Sequence, residues 1–600
     1  MAGNQSIQSG TNRLDRMAIG RVTAALLLLT GAGLGLLFVP VKLNLLDGPG
    51  QLVYHEDGFR QLALALTPAR LLGLRLALGA ATLLGACGWL ALGGRESGLI
   101  RRQLHRAVTR LHRYWRLLPA DAQRSAAGLL TLVAAARLYY LVAYPLSTDE
   151  IASFQYFVRQ GPRVICSYYP IPNNHLLYNL LAWPLSLTGL PPLLVMRLPT
   201  YLLGTISLPL TLGLLSRMAG LRRALIITAL VALVPVQVYY GAVGRGYGLQ
   251  LVMLQLGFFT ILELLRPESC YRQLAWVVLL LSSVAGLLLV PSYAYPLAAL
   301  LLGLAVGCYQ AKRWAALGSL ALAGAAIGLI TFLVYSPMGA ISGWERLLAN
   351  RYVVSRAAGQ FWPGFRPRLY EVAAELFAPS VRVSGPLWLG MALFGGAISW
   401  QILSGARRRM ALVAWLLAAL PIGLLTAQRV FPLARVLLYV PWAACVWLLL
   451  SLPRLKTFAE SQKWAKRLML SSFVGLGIYR LHSNEAQLYG AQRETHLVQQ
   501  AYTWLQKAAP IGNKTRLVGL QSPIHELFFA HYLAVTPRSS LLLRSYRTPQ
   551  PNEQYDFIIL SQAAIAAGRR VPVSYLASYS DALVTIYTNS TLPQQLATAP

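Results

Sequence analysis

Acidic side chains are scarce in this chain. Aspartate and glutamate together number 20 in 600 residues, against 53 lysines and arginines, and charge of either sign makes up 12% of the whole. Ordinary soluble domains carry about 25%. A soluble chain of this length would need polar faces between its apolar stretches, and few are present, so a soluble multidomain protein is excluded. Cysteine is also rare: Cys87, Cys166, Cys270, Cys308 and Cys445. No CxxC or zinc-like spacing occurs, and only Cys166 falls in an expected outer loop, which excludes a disulfide framework and a thiolate metal site. No internal repeat or low-complexity tract is evident.

What is present is apolar length. Hydrophobic residues account for 56% of the chain, and apolar runs recur from residue 22 to residue 481. Each is near the roughly 20 residues that an α-helix needs to cross a hydrocarbon core. The chain therefore reads as an all-α polytopic membrane protein with about 13 transmembrane helices. The first run lacks a small-residue cleavage site and is expected to remain as a span. The net charge of +33 does not mark a nucleic-acid surface. The cations fall in short loops between apolar runs, where the positive-inside rule places cytoplasmic loops.

Arg13, Arg16 and Arg21 set the N-terminus on the cytoplasmic side. The strongest inside marker is a basic loop carrying Arg95, Arg101, Arg102, Arg106, Arg110, Arg113, Arg116 and Arg124, so the next span exits on the outer face. The expected spans lie near 22–41, 71–93, 126–145, 193–216, 224–243, 247–265, 273–290, 292–309, 315–336, 386–404, 410–427, 433–452 and 468–481. Three outer stretches, 146–192, 337–385 and 482–600, are too long for turns. The second mixes Trp344, Tyr352, Trp362 and Phe365 with arginines, as an interfacial helix does. The third is more polar, and its segments 556–560 and 582–587 read as strands of a small α/β domain. The expected organisation is a two-span extension with its basic cytoplasmic loop over 1–125, a transmembrane region bearing the candidate site over 126–481, and an extracytoplasmic C-terminal α/β domain over 482–600.

Two of the few acids, Asp149 and Glu150, stand together just after the third span. Carboxylates at a membrane boundary are costly to desolvate and are retained for chemistry. A helix start explains them equally well, with Ser147 or Thr148 as cap and acids in the first turn. The two readings are compatible, because a positioned carboxylate makes a good base. On the same outer stretch Asn173, Asn174 and His175 form a polar loop that leads into a helix carrying Tyr178. A lone histidine is ordinarily structural; following two amides, it also suits binding or orienting a ligand.

The acidic pair, then Pro172-Asn173-Asn174-His175 and Tyr178, then Met196-Arg197-Leu198-Pro199, resembles the GT-C glycosyltransferases. The nearest likeness is to the dolichyl-phosphate-mannose protein mannosyltransferase and aminoarabinose transferase family. Gly244-Arg245-Gly246-Tyr247-Gly248 resembles that family's Arg-x-Tyr turn, and the stretch from Arg429 to Arg435 resembles its late arginine-containing turn. The resemblance covers roughly 126–450. It implies a transferase that takes a sugar from a polyprenyl-phosphate donor to an acceptor on the outer face, with inversion at the anomeric carbon. Asp149 would be the general base and Glu150 its support or an acceptor ligand. It also implies a multi-pass protein of the plasma (inner) membrane.

A lipid phosphate is already a stable anion, so it needs cationic stabilisation more than a general acid. Arginine supplies this by bidentate contact. The candidates are Arg245, Arg429 and Arg435, with Arg346, Arg351 and Arg356 in the long loop; snorkelling to headgroups is the competing role for each. Arg245 is the sharpest case because its flanking glycines permit close backbone approach. Substrate-binding residues are thus expected at Asn173, Asn174, His175, Tyr178, Arg245, Tyr247, Arg429 and Arg435. Asp149, Glu150 and His175 could ligate a divalent metal, but no tight spacing demands one and no cofactor is expected. Expected partners are the donor, an acceptor that is protein, lipid or polysaccharide, and membrane lipids, with no nucleic acid. A transporter or flippase would place ionisable groups near the midplane and show matching halves, and the chain shows neither. A polyprenyl-linked glycan ligase or polymerase shares the same carrier.

Overall fold

The structure is a computed structural model and describes residues 2–40, 67–92, 95–169, 172–266, 268–348, 354–377, 381–451, 463–509, 515–535, 541–546 and 554–591. Arg351 and Tyr352 lie outside these. The chain forms two compact units: Met1–Leu141 with Tyr156–His482, and Val142–Gln155 with Ser483–Pro600. The acidic pair groups with the C-terminal segment in the second unit.

In the first unit ten helices among the described residues are long and apolar enough to cross a membrane. A further pair, Leu221–Ala232 and Pro235–Ala242, qualifies as one broken span bent by 76°. Pro235 is the cause: it stands at the first helical position after extended Val234, a place that suits its fixed φ and missing N–H. The two expected spans parted by Pro291 are present as Arg272–Leu289 and Ala294–Gln310, joined by a 3₁₀ turn, Pro291–Tyr293. With the broken pair the count is 11, against 13 expected. The 433–452 stretch forms a 3₁₀ turn, Ala434–Leu437, and a helix of only 12 residues, Val440–Ser451. The 468–481 stretch lies inside the long helix Lys463–Ala508, where Arg467, Arg480 and His482 dilute its apolar character.

Small residues set how closely the N-terminal helices pack. A Cβ on Gly85 would stand 2.3 Å from the Leu28 backbone nitrogen, and one on Gly31 would stand 2.7 Å from Thr82 N. Helices Ala2–Phe38 and Pro68–Ala91 therefore meet backbone to backbone, the mode by which apolar helices associate where no hydrophobic gain is on offer. The Asp15 carboxylate, fully buried, pairs with Arg272 and accepts from Gln273 Nε2 at 3.1 Å. The basic loop is itself a helix, Arg95–Leu117.

The second unit holds a five-stranded sheet. Its strands are β1 Arg516–Leu520, β2 Leu541–Ser545, β3 Phe557–Ser561, β4 Tyr575–Ser580 and β5 Val584–Asn589, in the order β2-β1-β3-β5-β4. β1 pairs in parallel with β2 and β3, while β5 pairs antiparallel with β3 and β4. β3 is buried from Phe557 to Leu560, a continuous apolar run as expected of a central strand covered on both faces. The strands expected at 556–560 and 582–587 are β3 and β5. The chain is thus an all-helical multi-pass membrane protein with a small C-terminal α/β domain.

Candidate functional site

In the first unit the site is built on the short loop before helix Leu176–Ser186. Asn174 fixes that loop. Its Nδ2 donates to the Ile165 and Tyr168 carbonyls at 2.8 and 2.9 Å, and its Oδ1 accepts from Asn179 Nδ2 at 2.9 Å. Through these bonds Asn174 clamps the loop. Tyr178 is also spent on the fold: its hydroxyl donates to the Met196 carbonyl and accepts from Thr200 Oγ1.

His175 is held at both ring nitrogens. Nδ1 lies 2.9 Å from the Leu289 carbonyl. That oxygen is available because the helix breaks at Pro291: the Tyr293 N–H, which would have reached it, bonds Val290 O instead. A carbonyl only accepts, so Nδ1 carries the hydrogen. Nε2 faces Arg245, whose Nε and Nη2 approach to 3.2 and 2.9 Å. A guanidinium only donates, so Nε2 presents its lone pair and the imidazole is neutral. Burial pushes the His175 pKa down to about 4; the Leu289 bond opposes this and the Arg435 charge adds to it.

Arg245 also donates from Nη2 to Asn173 Oδ1 at 2.6 Å. Asn173 and His175 thus both accept from this buried guanidinium. Tyr247 supports it from below, with Arg245 Cζ 5.3 Å from the ring centre and the His175 ring edge-on at 5.1 Å. Arg435, on the turn Ala434–Leu437, hydrogen-bonds the side chain of Tyr240 and is near enough for its charge to act on His175. Tyr240 in turn packs on Tyr247 at 5.0 Å. Arg245 therefore bonds the buried histidine directly, and the Arg435 charge acts on it.

The glycines around Arg245 permit close backbone approach. A Cβ on Gly244, Gly246 or Gly248 would meet the carbonyl oxygen of Met196, Leu289 or Tyr240 at 2.4, 2.5 and 2.4 Å. The close approach is to protein backbone. It wedges the turn between neighbouring helices and so fixes where Arg245 points.

Arg429 stands apart from this cluster. It is exposed, left-handed at φ 53, and caps helix Gly405–Gln428. Its carbonyl accepts from Arg356 N at 3.1 Å, and the Arg356 guanidinium lies 4.4 Å over Phe431. Arg346 is half-buried on the short helix Trp344–Leu348.

In the second unit the acidic pair opens helix Thr148–Ser153 with Ser147 as its cap. Glu150 is fully buried and completes a capping box: its Oε2 accepts from Ser147 N at 2.9 Å and Oγ at 3.1 Å, and its own N–H donates to Ser147 Oγ at 3.3 Å. Asp149 is half-buried on the same turn and is not part of that box. The helix packs on Pro523–Val535 of the C-terminal segment. Gln155 Nε2 lies 3.3 Å from His531 Nδ1, and burial lowers the His531 pKa. Gln492 Nε2 donates to the Ala143 carbonyl at 3.0 Å.

Sequence reasoning did not find the Leu289 carbonyl, Tyr240 or Thr200. The proline two residues after Leu289 was the one available signal, since a proline break frees a carbonyl. Among the described residues no group of three or more His, Cys, Asp or Glu side chains is placed to hold a metal ion.

No protein-family model matches the chain. No curated protein matches it. Among solved structures, the chain is similar to ArnT from Cupriavidus metallidurans bound to undecaprenyl phosphate, with 14% identity and a TM-score of 0.40 over 77% of this chain and 97% of that one. It is likewise similar to the apo state of that protein, with 13% identity and a TM-score of 0.41 over 80% of this chain and 100% of that one.

Proposed function

We propose that this protein is a membrane glycosyltransferase that moves a sugar from a polyprenyl-phosphate donor to an acceptor hydroxyl on the outer face of the membrane. The observation that carries the reading is a neutral, buried His175 bonded to Arg245 and within reach of the Arg435 charge. Preorganised guanidinium groups in a water-poor site suit an anion whose charge grows as the glycosidic bond breaks. His175 and Asn173 hold Arg245 in place, and Tyr247 packs beside it. Arg435 supplies a second cation. No proton need reach the leaving phosphate.

Asp149 is the base in this reading. Glu150 secures the turn through its capping box, and Asp149 takes the acceptor proton as the hydroxyl attacks the anomeric carbon from the face opposite the phosphate, with inversion. A positioned carboxylate contributes about 10²–10⁴-fold. Arg429 is left as a headgroup contact. The proposed chemistry assigns no step to a metal.

The test uses full-length protein in lipid nanodiscs, with polyprenyl phosphate as the binding probe and polyprenyl-phosphate sugars as donors. Asp149→Asn should keep probe affinity and lose about 10²–10⁴-fold in transfer. Arg245→Lys should weaken probe binding, because lysine cannot reproduce the bidentate fork. Unaltered probe binding in an Arg245→Ala, Arg435→Ala double variant that still folds would overturn the assignment.

A further inference from the structure

We propose that helix Arg95–Leu117 is an interfacial element whose outer face binds anionic phospholipid headgroups. The covalent geometry comes first. The preceding candidate span ends at Ala91 and the following one begins at Ala120. Connections this short reach at most about 14 Å, whereas a helix of 23 residues is about 35 Å long. Both ends are tethered to membrane-crossing helices, so the helix lies along the membrane boundary and does not project from it.

One face is committed to the protein. Gln103 is 4% exposed; its Nε2 donates to Gln273 Oε1 at 2.7 Å and its Oε1 accepts from Leu274 N at 2.9 Å. Arg110 stacks over Tyr271 at 5.3 Å, and Trp115 packs close to Gly213. These contacts fix the helix about its axis and decide which side chains turn outward.

What turns outward is both apolar and basic. Leu104 and Val108, one helical turn apart, are 50% and 59% exposed. Arg101 is exposed beside them, Arg106 and Arg113 are exposed farther round the helix, and no acid occurs from residue 97 to residue 117. Leucine and valine side chains at the boundary insert between acyl chains, while arginines on the polar arc of the same helix reach up to the phosphates. A cytoplasmic topology signal needs the cations alone. The exposed Leu104–Val108 stripe, held in place by the Gln103 bonds, is what points to a lipid surface.

Each arginine near an anionic surface adds about fivefold in affinity, so removing three costs about 10²-fold. The test measures apparent affinity of the full-length protein for phosphatidylglycerol and for phosphatidylcholine, and amide exchange of residues 95–117 in vesicles of phosphatidylcholine with and without phosphatidylglycerol. Exchange should be slower in the anionic vesicles, and the difference should fade at high salt. The combined Arg101→Gln, Arg106→Gln, Arg113→Gln variant should lose about 10²-fold of its phosphatidylglycerol affinity and keep its unfolding midpoint in phosphatidylcholine. Leu104→Ser should weaken association with both lipids alike. Equal exchange in the two vesicle types overturns the proposal, and this comparison needs only the unaltered chain. So does a triple variant that keeps its preference for phosphatidylglycerol.

Discussion

Protonating His175 should destabilise the fold. In the folded chain Nδ1 already donates to Leu289 O and Nε2 accepts from Arg245. A second ring proton would have to point at a guanidinium inside a buried cluster. The pKa is accordingly about 4, against the ordinary 6.5, through burial first and the Arg435 charge next. The sign follows: the unfolded chain takes up a proton below pH 6.5 and the folded chain does so only near pH 4, so stability is full above 6.5 and falls as pH drops through this window. At 1.36 kcal/mol per pH unit the interval is worth about 3 kcal/mol, of which about 2 is lost by pH 5. The assay is reversible unfolding in mixed micelles at pH 7, 6, 5 and 4.5, comparing the unaltered chain with His175→Gln. Glutamine offers an amide donor and a carbonyl acceptor but takes no proton, so the difference between the two curves isolates His175. Parallel curves over the whole range would refute the assigned tautomer and the neutral imidazole.

Two further outcomes test the packing. Gly246→Ala places a Cβ 2.5 Å from the Leu289 carbonyl, a backbone atom that cannot swing aside, and should cost about 1–3 kcal/mol; Gly390→Ala, which meets nothing within 4 Å, should cost nothing in the same thermal unfolding series. Asp15→Ala leaves the Arg272 side chain, 10% exposed, without its carboxylate and should cost about 3–5 kcal/mol, read as a lowered unfolding midpoint in detergent. Asp15→Asn keeps an acceptor for Arg272 and should fall between these limits.

The sequence by itself determined the membrane class and most of the architecture. Hydrocarbon admits only long apolar helices here, so composition and run length suffice, and alternating cation clusters mark where the runs end. It also determined the two strands that the structure shows as β3 and β5, and it named His175, Asn173, Arg245 and Arg435 as belonging to one chemistry. Ser147 and Glu150 were legible as a helix start because a capping box is local, contained within four consecutive residues.

Tertiary structure alone decided what those residues do for one another. Asn173 and Arg245 are 72 positions apart and meet at 2.6 Å, and His175 finds its second partner in a backbone carbonyl 114 positions away. A carbonyl has no letter in a sequence, so its availability shows only when a helix is seen to break at Pro291. The same holds for the glycines beside Arg245, whose neighbours are carbonyls of three other segments. It holds too for Tyr178, whose hydroxyl meets Met196 and Thr200 of another helix. A side chain's hydrogen-bonding capacity is visible in its residue type; whether the fold has already used that capacity is settled only by which distant atoms the packing brings within 3 Å.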